Sequence, residues 1–516
     1  MTTPIDVVVI GAGHNGLVAA EQIARGGLST VVVERRPAIG GAASNGLAHT
    51  MPPIHPALAR AMSLGGLQWM TPEIALTAIG ADGKAIPFYS DHRRTIEALT
   101  AISPRDAARY GTFVEQLPAA VRVVAALLDR PAPDMDAPSF GDLLGLGGAA
   151  RRFRALDRRA AYGLLRWGPM PIADFADEWF DDELLKAAIA ARGLIGAMLG
   201  PRSAGSTLTY LHQLAFDPHP TGSGLTVAGG AGAFVEALAT AATTAGATIR
   251  LSAGVRRIIV TGDAVTGVSL ESGETIECRA VLSAAGPKQT LLELIEPGVV
   301  PPDTVTRARN IRASGVTAKV NLSLDTLPVF PALSALPPAL RGRVHIGPDV
   351  DYLERAFDAA KYGASSPHPW LEIAVPTTHD GSLAPAGRHV MSIYAQYAPR
   401  TLRGRSWSDE RPVLLENVVR AVEAVAPGLR NIIVNADVIT PEDLELTYGM
   451  DGGHIHHGEH ALDQMLVARP LLGMSGYGSP VRGLYLGSAG SHPGGGITGL
   501  PGLLAARHVL SQLKRR

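Results

Sequence analysis

The sequence predicts an α/β fold in which a parallel-sheet domain is interrupted by a second, mixed α+β domain. Three observations predict it: a strand–turn–helix–strand pattern within the first 35 residues, β-rich segments that return after a long helical stretch, and a second strand–turn–helix pattern at the end. The parallel-sheet domain would be discontinuous and combine residues 1–87, 222–300 and 440–516. The inserted domain would combine residues 88–221 and 301–439.

The first 35 residues are predicted to form a β–α–β unit. The β-branched run 7–10 is typical of a strand buried on both faces, and 30–33 repeats this pattern. Between them lie a glycine-rich turn and a helix of small residues that ends at Gly26 and Gly27. Such a crossover requires a parallel sheet. Further along, 248–282 alternates as a small antiparallel meander.

The composition favours a large folded core and argues against nucleic acid as a partner. Of 516 residues, 46 % are hydrophobic and 18 % are charged, which excludes wholesale disorder. Lys and Arg (46) nearly balance Asp and Glu (47), so no broad basic surface is expected. Aromatic residues, at 5 %, are too few to suggest a base-stacking platform.

The single cysteine, Cys278, limits the chemistry and favours a reducing compartment. One thiol forms no internal disulfide, no two-cysteine redox centre and no cysteine-rich zinc site. No basic region precedes the first apolar run, which carries Asp6, so no signal peptide is predicted. The longest uncharged stretch, 483–506, is too rich in glycine for a spanning helix. We therefore expect a cytoplasmic protein, and a peripheral membrane contact through a helical face in 88–221 stays open.

The turn 11–16 matches the G-x-G-x-x-G pattern of a dinucleotide-binding unit. Gly11 permits the tight turn, Gly13 lets a pyrophosphate approach the backbone, and Gly16 lets the helix pack closely on the strand. The free N–H groups at the helix start would then face the phosphates. Glu34 lies 18 positions after Gly16, at the end of the second strand, where its carboxylate can accept hydrogen bonds from a ribose.

Two further glycine-rich segments suggest a cofactor bulkier than a nicotinamide dinucleotide. Gly40 and Gly41 come shortly after Glu34 and let the backbone pass close to a large group. Near the C-terminus, 487–499 opens a predicted helix, whose amino end can stabilise the N1–C2=O region of a reduced, anionic flavin. The alternative for this segment is a glycine-rich loop without a ligand. His14 either contacts a phosphate or is a solvated loop histidine.

A family resemblance is carried by both ends of the chain and, more patchily, by its middle. The segments are 6–20, 34–43 and 483–496, with 317–322, 440–444 and 452–464 adding to them. They resemble the phytoene desaturase-related FAD-dependent oxidoreductases, most of all the branch that contains pyridine nucleotide-disulfide oxidoreductase domain-containing protein 2. The resemblance implies a Rossmann-like FAD-binding domain of the amine oxidase and desaturase type, with an inserted substrate domain.

The motifs and the resemblance together predict non-covalent FAD and the residues that bind it. In such flavoproteins a meander strand reads the adenine through its backbone, which implies this role for Val255. Many relatives have Arg where this chain has Ala42 and an acid where it has Ser488, so Ser488 would bind the ribityl chain without charge assistance. The predicted cofactor-binding residues are Gly11, Gly13, His14, Asn15, Gly16, Glu34, Arg35, Gly40, Gly41, Ala42, Val255, Ala285, Gly286, Gly487, Ser488, Gly495, Gly496 and Ile497.

The flavin would carry the difficult chemistry, so no acid–base triad is expected and none is found. Lys319 is the most interesting ionisable residue, because it shares one face of an alternating strand with Thr317, Asn321 and Ser323. That face looks either into a cavity or into solvent. In a cavity, burial would favour the neutral amine, which can orient water or dioxygen near the flavin. His55, which lies among prolines, is the second catalytic candidate.

Four more residues are predicted to line the substrate pocket: Tyr394, Gln396, His454 and His492. The histidine-rich segment 454–460 also suggests a metal site. His454 and His456 have the spacing of one strand face, whereas His457 and His460 have that of one helix face, and a single segment cannot easily adopt both conformations. A pocket wall or a polar turn is the preferred interpretation. No metal site is therefore predicted.

The leading hypothesis is a dehydrogenase or desaturase that passes hydride equivalents from a rather apolar organic substrate to flavin N5, with reoxidation by dioxygen or a quinone-like acceptor. One alternative is a flavin amine oxidase, for which a cage of aromatic side chains is expected. The other is an FAD-holding interaction protein with little turnover. The predicted partner is a small apolar molecule, and the sequence does not fix the oligomeric state.

Overall fold

The structure is a computed structural model that describes residues 5–44, 46–135 and 138–514. Its strands are β1 (Ile5–Ile10), β2 (Thr30–Val33), β3 (Trp69–Met70), β4 (Ile74–Ile79), β5 (Ala85–Tyr89), β6 (Thr226–Val227), β7 (Thr248–Arg250), β8 (Val255–Thr261), β9 (Ala264–Leu270), β10 (Thr275–Ser283), β11 (Thr317–Leu324), β12 (Arg343–Ile346), β13 (Trp370–Ala374), β14 (His389–Gln396), β15 (Ile433–Ile439) and β16 (Leu484–Leu486).

The helices of the described residues follow in the same way. They are α1 (His14–Arg25), α2 (Pro56–Ala61), α3 (His92–Thr100), α4 (Pro104–Leu128), α5 (Phe140–Arg154), α6 (Arg158–Trp167), α7 (Ile172–Trp179), α8 (Glu183–Arg192), α9 (Ser206–Phe216), α10 (Gly230–Thr244), α11 (Pro287–Leu292), α12 (Pro302–Arg309), α13 (Val350–Lys361), α14 (Trp407–Glu423), α15 (Leu429–Ile432), α16 (Pro441–Tyr448) and α17 (Leu500–Leu513).

The first sheet joins both ends of the chain in the order β7–β2–β1–β10–β9–β8, with β16 also paired to β10. Strand β1 runs parallel to β2 and β10, and β10 runs parallel to β16. Strands β8, β9 and β10 form an antiparallel meander. The predicted parallel sheet is therefore confirmed, and so is the meander from β8 onward. The predicted start of the meander is wrong, because 248–250 forms β7, which pairs in parallel with β2.

Strand β1 is buried on both faces because its side chains alternate between two cores. Val7 and Val9 pack with apolar residues of α1, α10 and α17, whereas Val8 and Ile10 pack with residues of the meander. Gly502 of α17 lies so close to α1 that a Cβ there would be 2.0 Å from a backbone oxygen of Asn15. This close contact holds the last helix of the chain against the first.

The second sheet has the order β15–β11–β14–β13–β12–β4–β5 and a core of its own. Strands β4 and β5 therefore belong to the inserted domain, so the predicted boundary at residue 87 lies too late in the chain. Strand β4 is buried along its whole length and pairs in parallel with the distant β12. The sequence of a short apolar strand does not indicate which sheet the strand joins. For this reason the prediction assigns β4 and β5 to the wrong domain.

Helices α3 to α9 form a layer around a core that includes Tyr110, Phe113, Phe175 and Trp179. Helix α4 is long and apolar enough to cross a membrane by length and composition alone. In this structure it packs against α3, α5 and α9. It therefore serves as the central helix of the layer.

Candidate functional site

A cavity of about 630 Å³ lies between the two sheets and is reached by both glycine-rich turns. Its walls come from three places: the N-terminal β–α–β unit, strands of the second sheet, and the segment after α16. Predicted cofactor-binding residues that line it are Gly11, Gly13, His14, Asn15, Gly16, Glu34, Arg35, Gly41, Ala42, Val255, Ala285, Gly495, Gly496 and Ile497.

The first glycine turn has the geometry of an anion-binding helix start. Helix α1 begins at His14, and its N-cap Gly13 offers no side-chain oxygen to the free N–H groups. Gly11 has φ +96°, and a Cβ at Gly16 would lie 2.0 Å from the Gly11 oxygen, so neither position accepts another residue. A Cβ at Gly13 would meet no heavy atom within 4 Å. The open space in front of this backbone can therefore hold phosphate oxygens.

Glu34 is held in place at the end of β2 by the backbone. Its carboxylate accepts hydrogen bonds from the N–H groups of Ala12 (2.8 Å) and Arg36 (2.9 Å). It also lines the cavity, where its remaining lone pairs can accept from ribose hydroxyls. The geometry thus fits the role that the sequence predicts.

Two polar atoms at this end of the site have no partner in the described part of the chain. They are Oδ1 of Asn15 and Nη1 of Arg36, both buried. Buried polar atoms in native proteins are almost always hydrogen-bonded, so these two atoms indicate a bound ligand as their partner. The donor, the acceptor and the open turn together fit a bound dinucleotide.

The C-terminal glycine turn contributes less to the cavity than the sequence predicts. Gly495, Gly496 and Ile497 line it, but Gly487 and Ser488 do not. Ser488 is buried, and its hydroxyl accepts a hydrogen bond from the N–H of Gly490 at 3.1 Å. The structure therefore gives no support to its predicted ribityl contact, because the hydroxyl is engaged in a hydrogen bond within its own turn. Gly40 and Gly286 also lie outside the lining.

The predicted helix after this turn begins three residues beyond Ile497, the last residue of the turn that lines the cavity. Helix α17 begins at Leu500, and its N-cap Gly499 lies against Val18 and Leu58, where an added Cβ would be 3.1 Å and 3.2 Å from their side chains. The backbone that reaches the cavity is the turn at 495–497 itself. That the amino end of α17 faces the flavin stays a prediction.

Histidines form one wall of the cavity. His14, His212, His456, His457 and His460 line it. Burial lowers the pKa of His14, His212 and His457 to about 4, so these rings are neutral at neutral pH. The rings of His456 and His460 stack with centroids 4.5 Å apart. Among the described residues, no group of three or more metal-ligating side chains has the arrangement of a metal site.

The two histidines that the sequence places in the pocket lie behind this wall. His454 is buried, and its Nδ1 accepts from the His456 N–H at 3.1 Å. His492 donates from Nε2 to the backbone oxygen of Arg130 at 2.9 Å. Neither lines the cavity, so the structure gives no support to their assignment as pocket contacts. Their spacing in sequence carries no information about which side of the segment faces inward.

A buried guanidinium, that of Arg469, holds the histidine wall together. It donates only to backbone oxygens, among them those of His456 (2.8 Å) and Ala489 (2.8 Å). No carboxylate in the described part of the chain forms an ion pair with it, and burial lowers its pKa to about 9. It remains charged at neutral pH, and the cluster beside the cavity therefore carries uncompensated positive charge.

The opposite wall is formed by the second sheet and centres on Lys319. Its side chain is buried and lines the cavity, whereas Ser323, further along the same strand face, is exposed. Nζ lies 2.7 Å from Nδ1 of His49 and 3.8 Å from the centre of the Tyr394 ring. Burial holds the pKa of Lys319 well below 10.5. Of the two environments considered for this strand face, Lys319 occupies the cavity.

Lys319 is the end of a chain of polar contacts. His49 Nε2 faces the Glu372 carboxylate at 3.4 Å, and Glu372 accepts from Arg343 at 2.7 Å. Burial alone would raise the pKa of Glu372, but the Arg343 guanidinium and the His49 contact lower it to about 2. Burial and the nearby lysine lower the pKa of His49 to about 4, so this ring is neutral. The arrangement links a neutral amine to a buried, charge-balanced ion pair.

Two predicted residues on this side have structural roles instead. Gln396 donates to the Leu194 oxygen at 2.7 Å and accepts from Thr317 at 2.6 Å, away from the cavity lining. His55 caps α2, accepting from the Ala57 N–H at 3.2 Å, and contacts Asp129 at 2.9 Å. Neither assignment to the pocket or to catalysis is therefore supported.

Tyr394 lines the cavity, and so do several apolar residues. Its hydroxyl donates to the Leu47 oxygen at 2.7 Å, which fixes the ring beside Lys319. The lining residues that sequence reasoning missed include Arg192, His212, Glu372 and Arg343 with charged or polar side chains, and Met51, Ile195 and Phe216 with apolar ones. They come from segments that share no motif.

Comparison with known proteins decides the cofactor class. Residues 6–438 match the family described as "FAD dependent oxidoreductase". The chain belongs to this family. It is 34 % identical to pyridine nucleotide-disulfide oxidoreductase domain-containing protein 2 of Rattus norvegicus, over 99 % of this chain and 94 % of that protein. It is 25 % identical to the lycopene-forming phytoene desaturase of Pseudescherichia vulneris, over 98 % of both chains.

The fold of this flavoprotein also occurs in solved structures. Cyclohexylamine oxidase from Brevibacterium oxydans matches with a TM-score of 0.56 at 16 % identity, over 99 % of this chain and 100 % of that one. The predicted FAD-binding fold, FAD as cofactor and the oxidoreductase class are therefore confirmed. Members of the family act on small molecules.

Proposed function

We propose that this flavoprotein dehydrogenates or desaturates a small, rather apolar organic molecule. FAD held by the phosphate-binding turn and Glu34 would supply the hydride acceptor, with dioxygen or a quinone-like compound as the final electron acceptor. The cavity lining supports this class, because Met51, Ile195 and Phe216 supply apolar surface to the same cavity that Lys319 lines. One observation carries the proposal: the buried Lys319 amine, whose neutral form is favoured by burial, lies in the same cavity as the phosphate-binding turn.

Dehydrogenation removes a hydride and a proton, and the proton needs an acceptor from the protein. The neutral amine of Lys319 can take this proton directly or through a water molecule. The ammonium that forms is stabilised by Glu372, whose charge raises the pKa of Lys319 against the effect of burial. His49, which lies between the two groups, orients the amine at 2.7 Å and keeps the lysine side chain fixed over Tyr394.

The amine oxidase alternative receives less support from the cavity. An aromatic cage for a substrate cation needs free ring faces. Tyr394 and Tyr448 both line the cavity, but the Lys319 Nζ lies over the first ring and the Arg36 guanidinium over the second, 4.4 Å from its centre. The Lys319 amine and the Arg36 guanidinium therefore cover the ring faces that a substrate ammonium would use.

The proposal includes a cytoplasmic location and a peripheral membrane contact. The thiol of Cys278 is buried, and burial raises its pKa to about 11, which suits a protein that does not use thiol chemistry. An apolar substrate dissolves in bilayers more readily than in water. A peripheral contact would bring the enzyme to such a substrate.

The test is anaerobic mixing of the purified yellow protein with polyenes, terpenoids, fatty acyl compounds and amines, followed at the flavin absorption bands. Bleaching by an apolar compound without an amino group supports the proposal. Bleaching by amines alone would establish the amine oxidase alternative. No bleaching by any class would favour a binding protein with little turnover.

A further inference from the structure

Helix α5 turns an apolar face outward. Phe140, Leu143 and Leu144 recur at the spacing that marks the core side of a helix in most soluble proteins. Here they are 77 %, 56 % and 60 % exposed. The side that packs on α4 carries small residues instead, including the buried Gly145 and Ala149. We name Phe140, Leu143 and Leu144 the docking face.

Arginines follow the docking face at the other end of α5 and at the start of α6. Arg151, Arg152 and Arg154 lie in the last turn of α5, and Arg158 and Arg159 begin α6. Segment 139–167 contains six arginines and only two acids. Both acids are engaged at helix starts, since Asp142 completes the capping box of α5 and Asp157 caps α6. An exposed apolar face next to a net positive charge is typical of helices that bind anionic lipid surfaces.

The charge argues against a second copy of this chain as the occupant. A symmetric dimer through the docking face would bring the same arginines of both copies together. Like charges at an interface are unfavourable and suppress such pairing. Anionic headgroups, in contrast, complement the arginines while the acyl region receives the apolar side chains.

The docking face also lies near the apolar end of the cavity. The buried side of α5 meets Arg130, since a Cβ at Gly145 would be 2.8 Å from its Nη1. The neighbouring Asp129 contacts His55, whose ring lies 6.1 Å from that of the cavity residue Phe216. Docking through α5 would therefore bring the Phe216 end of the cavity close to the bilayer.

We propose that the docking face of α5 seats this flavoprotein on the surface of an anionic lipid bilayer. Phe140, Leu143 and Leu144 enter the boundary between headgroups and acyl chains, and the arginines lie at headgroup level. This inference deepens the proposed function by naming the surface that makes its peripheral membrane contact. The choice of α5 stands on the exposure and charge of that helix, and its use for substrate entry rests on the proposed function.

The experiment is co-sedimentation of the full-length, FAD-loaded protein with vesicles of phosphatidylcholine, with and without phosphatidylglycerol. We expect binding to the mixed vesicles, with weaker binding at high salt and to pure phosphatidylcholine. Leu143→Ser with Leu144→Ser should lower partitioning about tenfold or more. Arg151→Glu with Arg152→Glu should lower it by a similar factor on mixed vesicles.

The matched control is Val329→Ser with Leu472→Ser, which removes two apolar side chains of similar exposure (71 % and 57 %) outside α5. It should leave partitioning unchanged. Equal binding by the α5 variants and wild type, or no binding to mixed vesicles, would overturn the proposal. A loss of self-association in the α5 variants without vesicle binding would overturn it in favour of a protein partner. Flavin bleaching by dissolved substrate is measured separately, so failure of docking and failure of the proposed function are distinguishable.

Discussion

The two walls of the cavity differ in how the charge of their buried cationic groups is compensated. On the histidine wall, Arg469 is buried with backbone oxygens as its acceptors and neutral histidines as neighbours. On the second-sheet wall, Arg343 is paired with Glu372 at 2.7 Å, and the remaining cationic group, Lys319, is held neutral by burial. One wall is therefore electropositive, and the other is balanced internally.

This difference suggests a division of work. An uncompensated positive charge beside the cofactor turns favours the negative charge that a flavin gains on reduction. A balanced wall with a neutral amine can instead take up a proton without burying a new unpaired charge. The histidine side would therefore act on the cofactor and the Lys319 side on the substrate. The predictions below test whether occupancy, rate and stability separate along these lines.

The largest effect is expected at the cofactor side. Gly13→Val would fill the open space in front of the phosphate-binding turn, while the φ of −74° at this position accepts a valine. We expect a folded but colourless protein, measured by the ratio of flavin to protein absorbance. Gly65→Val is the control, because Gly65 is also open but lies outside the cavity. Full flavin occupancy in Gly13→Val would refute the assignment of the turn.

The second prediction concerns the rate of the reaction and leaves the flavin content unchanged. Lys319→Met keeps the length of the side chain and removes the amine that accepts the proton. We expect full flavin content and a reductive half-reaction slowed by ~100-fold or more in stopped-flow absorbance. Ser323→Ala, on the same strand but exposed, is the control. Unchanged rates in both half-reactions would remove Lys319 from the mechanism.

The third effect concerns stability. Glu372→Gln leaves the Arg343 guanidinium buried without its charge partner, which should lower the free energy of unfolding by ~3 kcal/mol. Urea unfolding measures this, and flavin release should follow unfolding rather than precede it. Glu274→Gln removes a carboxylate from an exposed ion pair with Arg250 and should change stability far less. Equal effects of the two substitutions would contradict the buried ion pair.

The smallest effect is expected from acid on the histidine wall. The pKa of His492 is about 4 in the folded protein and 6.5 in the reference state, so the unfolded chain binds the extra proton in this window. Stability should therefore fall as pH drops from 6.5 towards 4. His492→Gln keeps a donor for the Arg130 oxygen and should gain ~2 kcal/mol relative to wild type between pH 8 and pH 5. A difference independent of pH would show that His492 does not titrate in this way.

The sequence predicted those parts of the fold that depend on residues close together in the chain. The β–α–β unit, the glycine turn and Glu34 lie within one short segment, where backbone conformation and close packing depend on neighbouring residues. The family resemblance extended this to the cofactor, and the C-terminal turn does reach the cavity at 495–497. The strand alternation around Lys319 predicted which residues share its face but left the environment of that face open.

The sequence by itself determined the cofactor half of this protein, because a phosphate-binding turn is built from consecutive residues whose roles are set by backbone geometry. Only the tertiary structure decided the substrate half. Lys319 meets His49 across 270 positions, and His49 meets Glu372 across 323. The same packing placed His492 and Gln396 in hydrogen bonds to distant backbone oxygens outside the cavity lining. Such contacts depend on how distant strands and turns are brought together, and no local pattern encodes them.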